Sequence, residues 1–225
     1  MTTAPDSPTR LAILASGNGS NAQAILDACE RGAIAARVTL IGSNRPGAGV
    51  LDRARRAGIP HAVVDHRQYA TREAFDHALL AALQAHAPDL VILAGFMRIL
   101  TPVFITPFSG RLLNIHPSLL PKYPGLHTHA RVLAAGDHEH GATVHFVTEE
   151  LDGGPPALQG KVPVTANDTI ESLAKRVLDL EHRLYPMAVA WWVSGRLRLS
   201  AGEVMIDAQR APATGIPYTD DMSWP

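Results

Sequence analysis

The first half of the chain repeats one unit: a short unbroken apolar run, a turn, then a stretch with apolar residues at helical spacing. The runs are RLAILAS (10–16), RVTLIGS (37–43), HAVVD (61–65), DLVILAG (89–95) and RLLNIHP (111–117). A strand without polar alternation is covered on both faces, as in a parallel sheet. Between the runs, residues 21–31 carry apolar side chains at 22, 25, 26 and 29, and Gly32 closes that helix. Residues 48–57 form a second helix, ended by Gly58 and Pro60. Thr71 caps a third over 72–86, with its apolar face at 75, 78, 79, 82 and 83. Strands alternating with helices over short connections predict an α/β fold with a doubly wound, mostly parallel sheet.

The second half departs from this pattern. GATVHFVT (141–148) and PALQGKVPV (156–164), separated by EELDGGP, predict an antiparallel hairpin extending the sheet. Asp168 and Glu171 resemble a capping box before a long C-terminal helix with apolar positions 170, 173, 177, 180 and 184. Pro186 is expected to kink or end it, because its ring clashes with the preceding turn and it has no N–H to donate. LRLSAGEVMID (197–207) predicts a small hairpin. The expected organisation is a disordered N-terminal extension (1–9), a single domain (10–207) and a loose C-terminal tail (208–225).

Composition narrows the function classes. A chain of 225 residues, 46% hydrophobic, buries a sizeable core without disulfide or metal staples. A net charge of −1 provides no basic field for nucleic acid. The single cysteine, Cys29, excludes an intramolecular disulfide framework and a multi-cysteine zinc site, and is most simply core. MTTAPDSPTR lacks the apolar run of a signal peptide, and no window approaches the ~18 apolar residues of a membrane span. The expectation is a cytoplasmic protein with small-molecule partners, no nucleic acid and no membrane, acting as monomer or homodimer.

Two stretches carry chemistry. SGNGSN (16–21) lies between the first strand and the first helix, where backbone N–H groups form an anion site and glycine lets a ligand approach. Gly17-x-Gly19-x-x-Ala22 fits a dinucleotide fingerprint formally, but the second strand ends in Ser43-Asn44-Arg45 rather than an acid. That disfavours NAD and leaves NADP, through Arg45, as one alternative to a single phosphate. A tight turn that binds nothing is the other.

The second stretch is LLNIHPSLLPKYPGLHTH (112–129). Asn114 and His116 lie two apart at the carboxyl end of the fifth strand, so both side chains share a face where open α/β sheets bind ligands. Asn donates an N–H and His donates or accepts a proton; together they can stabilise an oxyanion and move a proton. Asp152, in the LDGG turn, is the best partner for His116. A turn cap and a structural hydrogen-bonded pair account for the same residues without catalysis. Six of the eleven histidines fall between 116 and 145, and His127/His129 and His138/His140 have ligand-like spacing. With no cysteine nearby and no His-Glu-x-x-His, a metal site is disfavoured.

With SGNGSN, AGFMRIL (94–100), GATVHFV (141–147) and LDGGP (151–155), these segments resemble the folate-dependent formyltransferase family, and within it the glycinamide ribonucleotide formyltransferases. The resemblance spans roughly residues 10–207. It implies a Rossmann-like formyltransferase fold whose N-terminal half binds the ribonucleotide phosphate and whose C-terminal half binds folate. It implies attack by the glycine amine of 5-phosphoribosylglycinamide on the formyl carbon of 10-formyltetrahydrofolate, a step of de novo purine synthesis, without metal or ATP. Asn114 and protonated His116 then face the developing oxyanion, Asp152 holds His116 charged and helps move the proton, and His145 orients the carboxylate. By the same resemblance Gly19, Ser20, Asn21 and Glu181 meet the ribonucleotide, and Arg72, Met97, Arg98, Ile99, Leu100 and Asn114 meet folate. The departure is Gly-Gly-Pro-Pro after Asp152, where a single proline and an aliphatic residue are expected. Methionyl-tRNA formyltransferase and formyltetrahydrofolate deformylase share the Asn–His–Asp logic. The first carries an RNA-binding domain and the second an N-terminal regulatory domain, neither evident here. An NADP-dependent reductase leaves Asn114, His116 and Asp152 unexplained, and a binding module has no need of Asp152.

Overall fold

A computed structural model describes residues 8–222 and Trp224. Eight strands form one sheet: β1 (Thr9–Leu14), β2 (Ala36–Ser43), β3 (His61–Val63), β4 (Leu90–Leu93), β5 (Leu112–His116), β6 (Glu139–Phe146), β7 (Pro156–Pro163) and β11 (Ile216–Pro217). Their spatial order is β11-β7-β6-β5-β4-β1-β2-β3. β3 through β5 run parallel, β6 is antiparallel to both neighbours, and β11 is parallel to β7. The chain reverses its direction of travel across the sheet between β1 and β4, which is where such sheets open a crevice at the strand ends.

The unbroken apolar strands are sandwiched, as their composition predicts. Leu11 and Ile13 of β1 pack in one layer with α1 (Ser20–Glu30), α2 (Gly49–Arg56) and α6 (Ile170–Val193). Ala12 and Leu14 pack in the other with Phe75, Leu79 and Leu83 of α3 (Arg72–Gln84). The strand period of two therefore feeds two cores. Thr71 caps α3, its hydroxyl accepting the Ala74 N–H at 3.1 Å.

Several boundaries differ from expectation. Pro186 sits inside α6 without ending it. Burial of nearly every residue from Leu184 to Trp192 supplies the packing that outweighs the lost hydrogen bond. The capping box of α6 joins Thr169 to Ser172, not Asp168 to Glu171; Asp168 instead accepts from the Thr165 N–H and the Ser172 hydroxyl. Two further short helices, α4 (Pro102–Ile105) and α5 (Thr128–Ala135), break up stretches with too little periodicity to reveal them. Of the expected disordered extension 1–9, residues 1–7 lie outside those described, and Thr9 belongs to β1.

The tail is not a loose arm. β8 (Leu197–Ser200) and β9 (Glu203–Ile206) form the expected hairpin, and β10 (Gln209–Arg210) adds a third strand to it. β11 then extends the main sheet, Tyr218 donating its N–H to Gln159 O at 2.8 Å. An open edge of β7 supplies backbone partners that the tail's composition does not announce.

Candidate active site

Three loops converge beyond the carboxyl ends of β1, β4 and β5. The first is the glycine loop. Gly19 stands at φ 78° at the start of α1, and a Cβ there would lie 2.5 Å from Val50 Cγ2. Only glycine satisfies both constraints. Gly17 O accepts the Val50 N–H at 3.1 Å, so the loop lies against the first turn of α2. No side chain caps this end of α1, leaving its first-turn N–H groups directed outward, where an anion is favoured. Beneath them Asn21 donates to Glu181 Oε2 at 2.7 Å, with both side chains buried. Burial pushes the Glu181 carboxyl up to about 7, against the lowering effect of the Asn21 hydrogen bond. Asn21 Oδ1 has no protein partner. Glu181 thus meets the loop from below, through Asn21, rather than from its open side.

The second loop follows β4. Ser16 Oγ accepts the Met97 N–H at 2.7 Å and donates to Asn44 Oδ1, tying this loop to the first. Arg98, Ile99 and Leu100 line a narrow cavity of about 90 Å³, which Asn114, His145, Leu151 and Asp152 complete. Met97 is 54% exposed and outside this lining. Arg72, exposed at the start of α3, is also outside it. Asp76, fully buried on α3, holds the far end of the loop by accepting the Thr101 N–H at 2.6 Å.

The third group is the Asn–His–Asp cluster. Leu113 and Ile115 of β5 enter one core, so Asn114 and His116 turn to the opposite face, as their spacing predicts. His116 is 6% exposed. Its Nε2 lies 2.9 Å from Tyr123 O, and a carbonyl only accepts, so Nε2 carries a proton. Its Nδ1 faces Asp152 Oδ2 at 3.4 Å. The same Asp152 oxygen accepts the Gly125 N–H at 2.8 Å. Asp152 and Tyr123 are both non-glycine residues in the left-handed region, at φ 52° and 56°. The Gly-Gly-Pro-Pro departure is accommodated: Gly154 passes so close to Phe146 O that a Cβ would lie 1.8 Å away, and Pro156 opens β7.

His145 corrects an expectation. Its Nδ1–H donates to Phe146 O at 3.0 Å, leaving the Nε2 lone pair to accept from Asn114 Nδ2 at 3.0 Å. Burial pushes this imidazole down to about 4, so it is neutral and acts in that tautomer. Nε2 and Asp152 Oδ1, both acceptors, stand 3.9 Å apart. His145 therefore orients the Asn114 amide, fixing which end donates, and does not orient the carboxylate. The second Nδ2 hydrogen of Asn114 has no acceptor among the described residues. The histidine spacing that suggested a metal resolves otherwise: His129 and His140 bond each other at 2.9 Å.

Sequence reasoning missed the groups that hold these loops. Asp137, just after α5, accepts from Lys122 Nζ at 2.8 Å and from the Tyr123 hydroxyl at 3.0 Å. Arg53 on α2 donates to Asn18 O at 2.8 Å. Within RARR and GDHE runs such residues look like solvated charge.

Comparison with known proteins identifies the family. The formyl transferase family model matches residues 9–189. The phosphoribosylglycinamide formyltransferase of Escherichia coli (strain K12) is 51% identical over 205 residues, covering 91% of this chain and 97% of that protein. The trifunctional purine biosynthetic protein adenosine-3 of Drosophila melanogaster is 48% identical over 193 residues, 85% of this chain and 14% of that protein. Among solved structures, the phosphoribosylglycinamide formyltransferase of Coxiella burnetii superposes with a TM-score of 0.91 at 42% identity, covering 95% of this chain and all (100%) of that one. Glycinamide ribonucleotide transformylase 1 of Symbiobacterium toebii gives 0.87 at 46% identity, over 90% and 95% of the two chains. The chain belongs to the formyl transferase family.

Proposed function

We propose that the chain transfers the formyl group of 10-formyltetrahydrofolate to the glycine amine of 5-phosphoribosylglycinamide, in de novo purine synthesis. The observation that carries this reading is that an uncapped glycine loop, a slot lined by Arg98–Leu100 and the Asn114–His116–Asp152 cluster follow the carboxyl ends of three adjacent parallel strands, β1, β4 and β5. The E. coli relative, similar over nearly its whole length, carries that activity in its name.

The ribonucleotide phosphate sits on the N–H groups of Gly19, Ser20 and Asn21, where the helix dipole favours negative charge. Glu181 acts on that substrate through Asn21, which it holds at 2.7 Å. Folate enters the slot of Arg98, Ile99 and Leu100; Met97 covers its outer edge, and Arg72 serves the solvent-exposed end of the tail. The formyl carbon then lies between the amine and Asn114. As the amine attacks, the carbonyl oxygen gains charge and takes the free N–H of Asn114. His116, with acceptors on both ring nitrogens, is suited to carry a positive charge beside it. Asp152 stabilises that charge and passes a proton from the attacking nitrogen towards the departing folate nitrogen. The formyl group arrives already activated on the folate nitrogen, so the step calls for neither ATP nor a metal.

The test is a formyl-transfer assay with purified protein, 10-formyltetrahydrofolate and the ribonucleotide, without metal or ATP. Folate release that depends on the ribonucleotide, matched by formylated product, is expected. Release without the ribonucleotide would identify a deformylase, and no release at all would overturn the reading.

A further inference from the structure

The glycine loop has few contacts to fix it on its solvent side, yet one side chain spans it. The Arg53 guanidinium donates from Nε to Asn18 O at 2.8 Å, from Nη1 to Gln23 Oε1 at 3.1 Å, and from Nη2 to Asn18 Oδ1. One planar fork thus grips both the backbone and the side chain of Asn18, and reaches the first turn of α1 as well. All three acceptors are neutral. Among the described residues no carboxylate forms a salt bridge with Arg53, although Asp52 and Arg55, one and two positions away, pair with each other. Its positive charge stands beside the uncapped start of α1, held there by neutral acceptors. Further supports of the loop come from the same helix: Val50 N–H on Gly17 O, the Val50 side chain against Gly19, and Gly49, where a Cβ would lie 3.3 Å from Asn18 Cα.

We infer that Arg53 is a positioning residue for ribonucleotide binding: it clamps Asn18 so that the N–H groups of Gly19, Ser20 and Asn21 converge on the phosphate, and it adds a positive charge at their edge. This rests on the phosphate assignment proposed above. Arg53 acts through Asn18 and stands apart from the reacting atoms, so it influences affinity for one substrate and not the chemical step.

Steady-state kinetics of Arg53→Met, Arg53→Lys and Asn18→Ala test this, with Gly19→Ala, whose added Cβ meets Val50 and displaces the loop N–H groups, as the reference for the phosphate site itself. Arg53→Met is expected to raise KM for the ribonucleotide about tenfold, the scale of losing charge-assisted hydrogen bonds. Its kcat at saturation and its KM for the folate should stay within about twofold, because uniform binding is what is lost. Arg53→Lys keeps the charge without the fork and should recover only part of the loss. The double variant Arg53→Met/Asn18→Ala should be less than additive, since both remove one clamp. Full rescue by lysine, or strict additivity, would overturn the clamp, as would unchanged KM in Arg53→Met while Gly19→Ala is impaired. Unchanged KM in Gly19→Ala would instead sink the phosphate assignment. A parallel rise in the inhibition constant of inorganic phosphate would tie the effect to the anion and support the inference.

Discussion

The glycine loop and the Asn114–His116–Asp152 cluster stand at the same carboxyl end of one parallel sheet but are held in opposite ways. The loop is shaped by excluded volume: Gly19 fits against Val50 because it has no Cβ, and α2 lies directly underneath. The cluster is shaped by polar cross-ties between three segments: His116 to Tyr123 O, Asp152 to the Gly125 N–H, Asn114 to His145, and Tyr123 to Asp137. It also holds Tyr123 and Asp152 in a left-handed backbone that side chains disfavour. A steric frame suits a site that must present a fixed set of N–H groups. A cross-tied frame suits one in which charge and protons move, because each tie also selects a tautomer or a charge state. One added methyl should break the first, and one altered proton acceptor the second.

The sharpest break is in the cluster. Asp152→Asn removes the charge that faces His116 while keeping the volume, and should lower kcat by roughly 10²–10⁴. Binding of each substrate, measured by calorimetry, should survive; unchanged turnover would remove Asp152 from the mechanism. The matching break in the loop is Gly19→Ala. Overpacking against Val50 together with a positive φ should cost about 1–3 kcal/mol in denaturant unfolding and weaken ribonucleotide binding. Combining it with Val50→Ala should cost less than the sum of the two, which a purely backbone effect would not produce.

Glu181 sharpens the comparison through pH. Burial holds its carboxyl at about 7 in the folded protein against an ordinary value of 4.5. Between those values the folded state binds a proton that the unfolded state has released, so this group's contribution to stability is present below pH 4.5 and is lost as pH rises towards 7. Glu181→Gln removes that slope, and its stability relative to the parent should rise on the order of 2–3 kcal/mol between pH 5 and pH 8. His140 and His145, each pushed down to about 4 by burial, slope the other way and cancel in the difference. A pH-independent difference would show that Glu181 is not titrating there. The smallest effect belongs to a tie rather than a tied group. Tyr123→Phe loses the hydroxyl contact to Asp137 but keeps the carbonyl that meets His116, so kcat should fall only a few-fold with no change in substrate binding. A loss as large as that of Asp152→Asn would mean the loop, not the carboxylate, sets the rate.

Much of this was legible before any coordinates. Continuous apolar runs announce β1, β2, β4 and β5, and Thr71 announces the start of α3, because these signals depend only on near neighbours. Pro186 does not end its helix because tertiary burial outweighs the local penalty, and the tail misleads because a sheet edge accepts any extended backbone. At the site, the period of two puts Asn114 and His116 on one face, and the glycine pattern marks the tight loop before α1. The sequence by itself therefore determined most of the longer elements, the two faces of each strand and the residue types available for chemistry, since these follow from local periodicity and side-chain chemistry. Only the tertiary structure decided the 3.4 Å approach of Asp152 Oδ2 to His116 Nδ1, that His145 bonds Asn114, and that Arg53 and Asp137 brace the loops. Those are long-range hydrogen-bond geometries, and a tenth of a nanometre in strand register or loop path, invisible in one dimension, selects among them.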